Sequence, residues 1–225
     1  MTDLPSILYR DEAVIAFDKP SGLLSVPGIG PEKADCLAAR AAAHFPGARI
    51  VHRLDRDTSG VIIMALDAIS HRRLSIQFQE REVTKSYLAL VSGDPGPGPG
   101  EIDLPIRKDL EHPPRQIVDH EFGRASVTRW VRRRVLPPIG PESSAPTALL
   151  EVSPLTGRSH QIRLHLKEIG HPLLGDDLYA PPEIVRAAPR LMLHAWRLAL
   201  RHPLSGAPLA LEAPPAWMER IGAVP

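Results

Sequence analysis

The 225-residue chain is expected to fold as an α+β protein with a mixed, mainly antiparallel central sheet flanked by helices and loops, on three observations. Short runs rich in β-branched or aromatic residues recur between turn signals, helical periodicity appears only three times, and regular strand–helix alternation is absent.

Taken along the chain, Val14 to Asp18 reads as a strand, and Asp35 to His44 as an alanine-rich helix with an aspartate at its start. Gly60 to Ala65 is a second strand, and Ala68 to Arg81 a helix that pairs Leu74 with Phe78. Ser86 to Val91, Ser126 to Val135 and Leu149 to Ser153 follow as strands. Ser159 to Ile169 places Ile162, Leu166 and Ile169 on one face of a helix behind a serine N-cap, and Arg197 to Arg201 is the last strand. Ser92 to Gly100 and Leu136 to Pro146 are dense in proline and glycine and read as surface connections between strands of one domain. No internal repeat is evident.

Composition narrows the function classes. With 27 Lys+Arg against 26 Asp+Glu the formal charge is +1, and 43% hydrophobic residues suffice for a full core. The longest apolar run, Val61 to Leu66, ends after six residues, where a membrane span needs roughly 18. No charged-then-apolar leader precedes Ile7, so a cytoplasmic location with no membrane partner is expected. Cys36 is the only cysteine, which excludes disulfides and cysteine-built zinc sites within one chain. The cations comprise 22 Arg and only 5 Lys. That bias suits phosphate and base-edge recognition, although a GC-rich genome produces it too.

The densest polar segment is His52-Arg53-Leu54-Asp55-Arg56-Asp57-Thr58-Ser59-Gly60, ahead of the apolar run at Val61. A loop delivered by a sheet is where a reactive acid would be held, and Asp55 or Asp57 could serve. A turn in which Asp57, Thr58 and Ser59 bond the backbone while Gly60 takes an unusual φ accounts for the same residues. A second segment, Thr156 to His165 (TGRSHQIRLH), begins at a turn and enters a helix carrying Arg163 beside Ile162. A helix-borne guanidinium can keep a nearby aspartate ionised, lowering its pKa by about 1–3 units; an ordinary solvated arginine is the alternative. Arg72, Arg73, Arg132, Arg133 and Arg134 are either phosphate contacts or solvated faces. The pairs His52/Asp55 and His160/His165 lack the i, i+4 spacing of a zinc helix, and no metal is expected.

Together these residues resemble the RluA-type pseudouridine synthases. The resemblance rests on Ile7 to Gly28 (ILYRDEAVIAFDKPSGLLSVPG), HRLDRDTSG at 52–60, Lys85-Ser86-Tyr87, GRSHQIRLH at 157–165, GHPLLGDDLY at 170–179 and Leu193-His194-Ala195. The opening LSVPG run and Asp103-Leu104-Pro105-Ile106 place it nearest the short branch acting on both large-subunit ribosomal RNA and a tRNA anticodon arm. The resemblance implies a pseudouridine synthase fold with an active-site cleft across the sheet. Asp55 would be the catalytic carboxylate acting on the ribose, Arg163 would pair with it, and Tyr87 would pack on the flipped base and help remove the C5 proton. Ile162 would close the other face of the base, and Arg53 would fill the space left in the RNA stack. His52, Arg158 and His160 would serve substrate binding and the hydrogen bonding around it.

The implied reaction breaks an N-glycosidic bond and remakes a C–C bond between the same base and sugar, so no cofactor is expected. Water would destroy the detached intermediate, which gives apolar Ile162 and the Tyr87 ring a walling role. The target uridine must leave its stack, so a structured RNA loop is the expected partner, with no obligatory protein partner. Only about six residues precede the first strand, so residues 1–225 are expected to be a single catalytic domain without an S4 RNA-binding domain. Two rival readings are a catalytically silent RNA-binding module and an RNA N-glycosidase or nucleosidase using Asp55 as its acid. Direct attack of Asp55 on C1′ and abstraction of the C2′ proton both stand.

Overall fold

The two most apolar runs of the sequence, at 14–17 and 61–65, are buried along their whole length and pair with one another. Around them the computed structural model, which describes residues 3–221, has the order β1 (Ile7–Arg10), β2 (Val14–Lys19), α1 (Leu37–His44), β3 (Arg49–Ile50), β4 (Ser59–Ala65), α2 (Ala68–Gln79), β5 (Thr84–Ser92), β6 (Pro99–Asp103), β7 (Ile106–Lys108), β8 (Gln116–Val118), β9 (Val127–Leu136), β10 (Thr147–Pro154), α3 (Gln161–Glu168), α4 (Pro182–Arg186), β11 (Leu193–Arg201), β12 (Pro208–Glu212) and α5 (Met218–Ile221). These elements form two compact units, residues 3–85 with 194–215 and residues 86–193 with 216–221.

In the first unit the strand order is β1-β2-β4-β11-β12, and β3 also pairs with β4. All of these pairs are antiparallel except β4 with β11, which run parallel through His194 opposite Ser59 and Ala195 opposite Gly60. The parallel contact is close. A Cβ on Gly60, whose φ is 109°, would stand 2.1 Å from the Ala195 carbonyl oxygen, so only glycine fits there. Val14, Ala16, Val61, Ile63 and Ala65 pack with Leu74 of α2 and Leu198, Leu200 and Leu211 as one core.

In the second unit β5-β10-β9-β6 form an antiparallel run, and β7 pairs with β8 as a separate ribbon. Its core gathers Ala89, Val91, Trp130, Leu150 and Val152 from the strands with Ile162 and Leu166 from α3, and Ile169 packs against it. The expected α+β class with mixed, mainly antiparallel pairing is therefore the architecture that forms.

Several boundaries differ for local reasons. The first helix is capped by Cys36, whose Sγ accepts from the Ala39 N–H at 3.4 Å, because Asp35 turns its carboxylate to Arg40. Helix α2 stops at Gln79, before Arg81, which takes a left-handed φ of 62°. Helix α3 begins at Gln161 rather than Ser159, since His160 at its N-cap has φ 54° and no side chain caps it. Leu136 to Pro146 joins the antiparallel neighbours β9 and β10, as a surface connection should. The other Pro/Gly stretch gives up its last residues to β6, which starts at Pro99.

Candidate active site

The HRLD loop lies in the first unit, between β3 and β4, and its backbone is fastened to the segment after β2. Lys19 ends β2 fully buried, and its ammonium donates to the carbonyls of Pro20 (2.9 Å), Leu23 (2.7 Å) and Arg56 (2.9 Å). A buried ammonium is tolerable only when its donors are met in this way. The Ser25 hydroxyl donates to the Leu54 carbonyl (2.7 Å) and accepts from the Leu54 N–H (3.1 Å), while buried Leu54 anchors the loop in the core. Ser21 Oγ donates to the Asp57 carbonyl (2.8 Å), and the Gly22 N–H to that of Arg56 (2.9 Å). The two residues flanking Asp55 are thus both held by the 19–25 segment.

The two aspartates of the loop separate on this geometry. Asp57 is paired with its neighbour Arg56 (3.0 Å). Asp55 is half-buried, and within its unit no described residue hydrogen-bonds or ion-pairs with its carboxylate. Arg53 is exposed beside it. His52 faces inward: its Nε2 accepts from the Ile63 N–H (3.1 Å) and its ring stacks on Phe78 with centroids 4.6 Å apart. Accepting through Nε2 requires that nitrogen unprotonated. Burial, assisted by the charge of Lys85, pushes the His52 pKa down to about 3. As placed, His52 supports the loop from beneath through the Ile63 N–H and the Phe78 ring. Ser59 bonds His194 (2.8 Å), whose other nitrogen donates to the Ala213 carbonyl (2.7 Å).

In the second unit Tyr87 sits on β5 opposite Val152 of β10, half-buried against the core. Ile162, in the first turn of α3, belongs to that core and is 7% exposed. Beside it Arg163 is 2% exposed, so the solvated reading of this residue does not hold. Its Nε donates to Asp176 Oδ2 (2.9 Å) and its Nη2 to Asp176 Oδ1 (2.5 Å) and Asp177 Oδ1 (3.1 Å). The guanidinium carries two carboxylates to which the sequence reading gave no role. Asp176 is itself fully buried and also accepts from the N–H groups of Leu178 (3.0 Å) and Tyr179 (3.1 Å).

The rest of the GR-x-HQIR motif is mostly scaffold. Gln161 accepts from the Thr156 hydroxyl (2.7 Å) and the Arg158 N–H (3.0 Å), and donates to the Val127 carbonyl and Thr128 Oγ1. His165 bridges Thr128 Oγ1 (2.9 Å) and the Leu104 carbonyl (3.0 Å), and burial lowers its pKa. His160 Nδ1 lies 2.8 Å from the Tyr179 hydroxyl, which also accepts from the Gln116 N–H (2.8 Å). Arg158 is half-buried, and its Nε is shielded from solvent without a hydrogen-bond partner.

Two arginines of the run on β9 are ion-paired and the third meets a backbone carbonyl. Arg132 pairs with Asp94 (2.6 Å), Arg133 with Glu151 (2.5 Å), and Arg134 donates to the Ile221 carbonyl. On α2, Arg73 donates to the Pro203 carbonyl. Among the described residues no group of three His, Cys, Asp or Glu could hold a metal ion.

Lys19, Ser25, Asp176 and Tyr179 are the residues that sequence reasoning left without roles. One signal for Lys19 was available, a lone lysine at the end of a strand that opens with four apolar residues, Val14 to Phe17.

The family profile described as RNA pseudouridylate synthase matches residues 13–168. The chain is 43% identical over 208 residues to the dual-specificity RNA pseudouridine synthase RluA of Escherichia coli K12, covering 92% of each chain. It is 44% identical over 203 residues to the Yersinia pestis protein of the same name, covering 90% of this chain and 95% of that one. Among solved structures, human RNA pseudouridylate synthase domain containing 1 superposes with a TM-score of 0.77 at 28% identity, over 96% of this chain and 86% of the other.

Proposed function

The chain belongs to the RNA pseudouridylate synthase family, isomerases that convert uridine to pseudouridine, and on that premise we propose that it acts on ribosomal RNA and a tRNA anticodon stem-loop, with Asp55 as the catalytic carboxylate. The observation that carries the assignment is the state of Asp55. It stands on a loop whose flanking residues are fastened by Lys19 and Ser25, and no described residue of its unit hydrogen-bonds or ion-pairs with its carboxylate. Asp57, the other candidate, already has Arg56 as its counter-ion.

In the proposed reaction Asp55 acts on the ribose as the C1′–N1 bond breaks, the freed base turns, C5 bonds to C1′, and the C5 proton is lost while N1 gains one. The product is an isomer, with atoms and charge conserved and no cofactor consumed. Tyr87 supplies a ring face for the base and takes part in removing the C5 proton, and Ile162 offers an apolar wall. Arg163 favours the ionised form of the acid. Arg53 enters the RNA stack, and His52, Arg158 and His160 serve substrate binding and the hydrogen bonding around it. Residues 1–225 act as a single catalytic domain, a reading supported by coverage of 92% of the bacterial relative. No helix among the described residues is long and apolar enough to cross a membrane, and the proposed substrates place the enzyme in the cytoplasm.

The test is incubation with transcripts of ribosomal and tRNA stem-loops carrying C5-tritiated uridine. Tritium release matched by pseudouridine in the RNA is expected, and Asp55→Ala should bind the RNA and release none. Free uracil would establish a glycosidase, and binding without release by the wild-type protein would establish a silent RNA-binding module. Release by Asp55→Ala at the wild-type rate would remove Asp55 from catalysis.

A further inference from the structure

One loop of the first unit holds an apolar side chain out in water near the proposed acid. Among the described residues Ile29 is the most exposed large apolar side chain, at 93%. Isolated apolar residues on a surface ordinarily need no explanation, but this one is presented by a stiffened turn. The Gly28 N–H donates to the Lys33 carbonyl (3.0 Å), and Pro31 to Lys33 form a turn of 3-10 helix inside that closure. Gly30 follows Ile29 with φ 97°, a conformation that residues with side chains rarely adopt, and Pro31 fixes the next φ. The base of the loop is fastened as well. The Leu37 N–H donates to the Leu24 carbonyl (2.8 Å) and the Ala38 N–H to that of Ser25 (3.2 Å), so the two ends lie side by side. Ser25 is the residue whose hydroxyl holds both backbone groups of Leu54, immediately before Asp55. Four residues of extended chain reach at most about 14 Å, which bounds the distance from Ser25 to Ile29 and equals about four stacked bases at about 3.4 Å each.

From this arrangement we propose that Ile29 is a specificity-determining contact for the RNA, its side chain packing on an unstacked base within two nucleotides of the target uridine. A nucleotide lifted out of its stack leaves neighbours with bare faces, and RNA loops are recognised largely through such bases. Apolar side chains suit those faces, as they do when wedged between base steps of a duplex. Because the turn is already stiff, the contact forms with little loss of chain entropy. The inference rests on the proposed RNA substrate and adds a residue that reads the nucleotides around the target, while Ile29 itself takes no part in the chemistry.

The experiment measures RNA affinity and single-turnover pseudouridine formation on one stem-loop transcript for wild type, Ile29→Ala, Ile29→Leu and Ile69→Ala. The last removes a side chain of α2 that is 61% exposed, and controls for exposed apolar surface in general. Ile29→Ala is expected to weaken binding about fivefold and to leave the rate at saturating RNA within about twofold. Ile29→Leu and Ile69→Ala should bind within about twofold of wild type. The urea midpoint of Ile29→Ala should stay within about 0.2 M of wild type, and a fall of more than about 0.5 M would mark a structural role and overturn the proposal. Each of the two nucleotides on either side of the target is then replaced in turn by an abasic residue. At one of these positions the penalty of Ile29→Ala should disappear, because the contact is already lost. A penalty that persists at every position overturns the proposal, as does wild-type affinity in Ile29→Ala or an equal loss in Ile69→Ala. Wild-type protein that binds the transcript and forms no pseudouridine sinks the reaction instead, and the affinity measurements still decide the role of Ile29.

Discussion

Replacing Lys19 by methionine tests the most consequential contact in the first unit. The side chain is fully buried, and three carbonyls, those of Pro20, Leu23 and Arg56, take its protons at 2.9, 2.7 and 2.9 Å. Methionine keeps most of the shape and supplies no donor. Hydrogen bonds to a charged group contribute about 1.5–3 kcal/mol each, while taking one ammonium out of water costs several kcal/mol. The balance for three bonds is a net loss of about 3 kcal/mol, a sizeable part of the roughly 5–15 kcal/mol that holds a domain together. With a urea slope of about 2–3 kcal/mol per molar, the unfolding midpoint should fall by about 1–1.5 M. The functional effect follows from the third carbonyl, because Arg56 is the residue after Asp55. Loosening it lets the acid wander on the scale of an ångström, for which a loss of about 100-fold in rate is typical. RNA affinity should change less than twofold. A midpoint within 0.3 M of wild type together with a rate within about twofold would refute the reasoning that a buried ammonium fixes this loop.

Two further outcomes follow from the same loop. Asp57→Asn removes a carboxylate already matched by exposed Arg56; surface pairs of this kind contribute about 0–1 kcal/mol, so turnover should stay within about threefold, and a loss comparable to that of Asp55→Ala would reassign the acid. His52 has its pKa lowered to about 3, so its contribution to stability is complete above the unfolded value of 6.5 and is lost as pH falls toward 3. By pH 5 this amounts to at most about 2 kcal/mol, less for a ring with partial access to water. His165, lowered by burial, adds to the loss with the same sign. His52→Gln should flatten the fall in urea midpoint between pH 7 and pH 5, and equal slopes in the two proteins would refute the assignment.

Whatever depends on neighbours within a turn or two of the chain could be read from the sequence. Apolar runs at 14–17 and 61–65 announced buried strands, Leu74 and Phe78 the inner face of α2, and Ile162, Leu166 and Ile169 that of α3. The order and spacing of the HRLD, K-x-Y and HQIR segments named the family that comparison then established. Strands β6 and β12 escaped notice because their sequences are weak in β propensity and exist by pairing with β9 and β11.

The charges were decided only by the tertiary structure. Motif resemblance singled out Asp55 over Asp57, but only the fold shows that Arg56 turns toward Asp57. Lys19 reaches a carbonyl 37 residues away, and Arg163 meets Asp176 13 residues on. An ionisable group is defined by what lies within a few ångströms, and chain distance sets no limit on which residues those are. Hydrophobic patterning is periodic and survives in one dimension, whereas electrostatic partnership is a property of the folded neighbourhood.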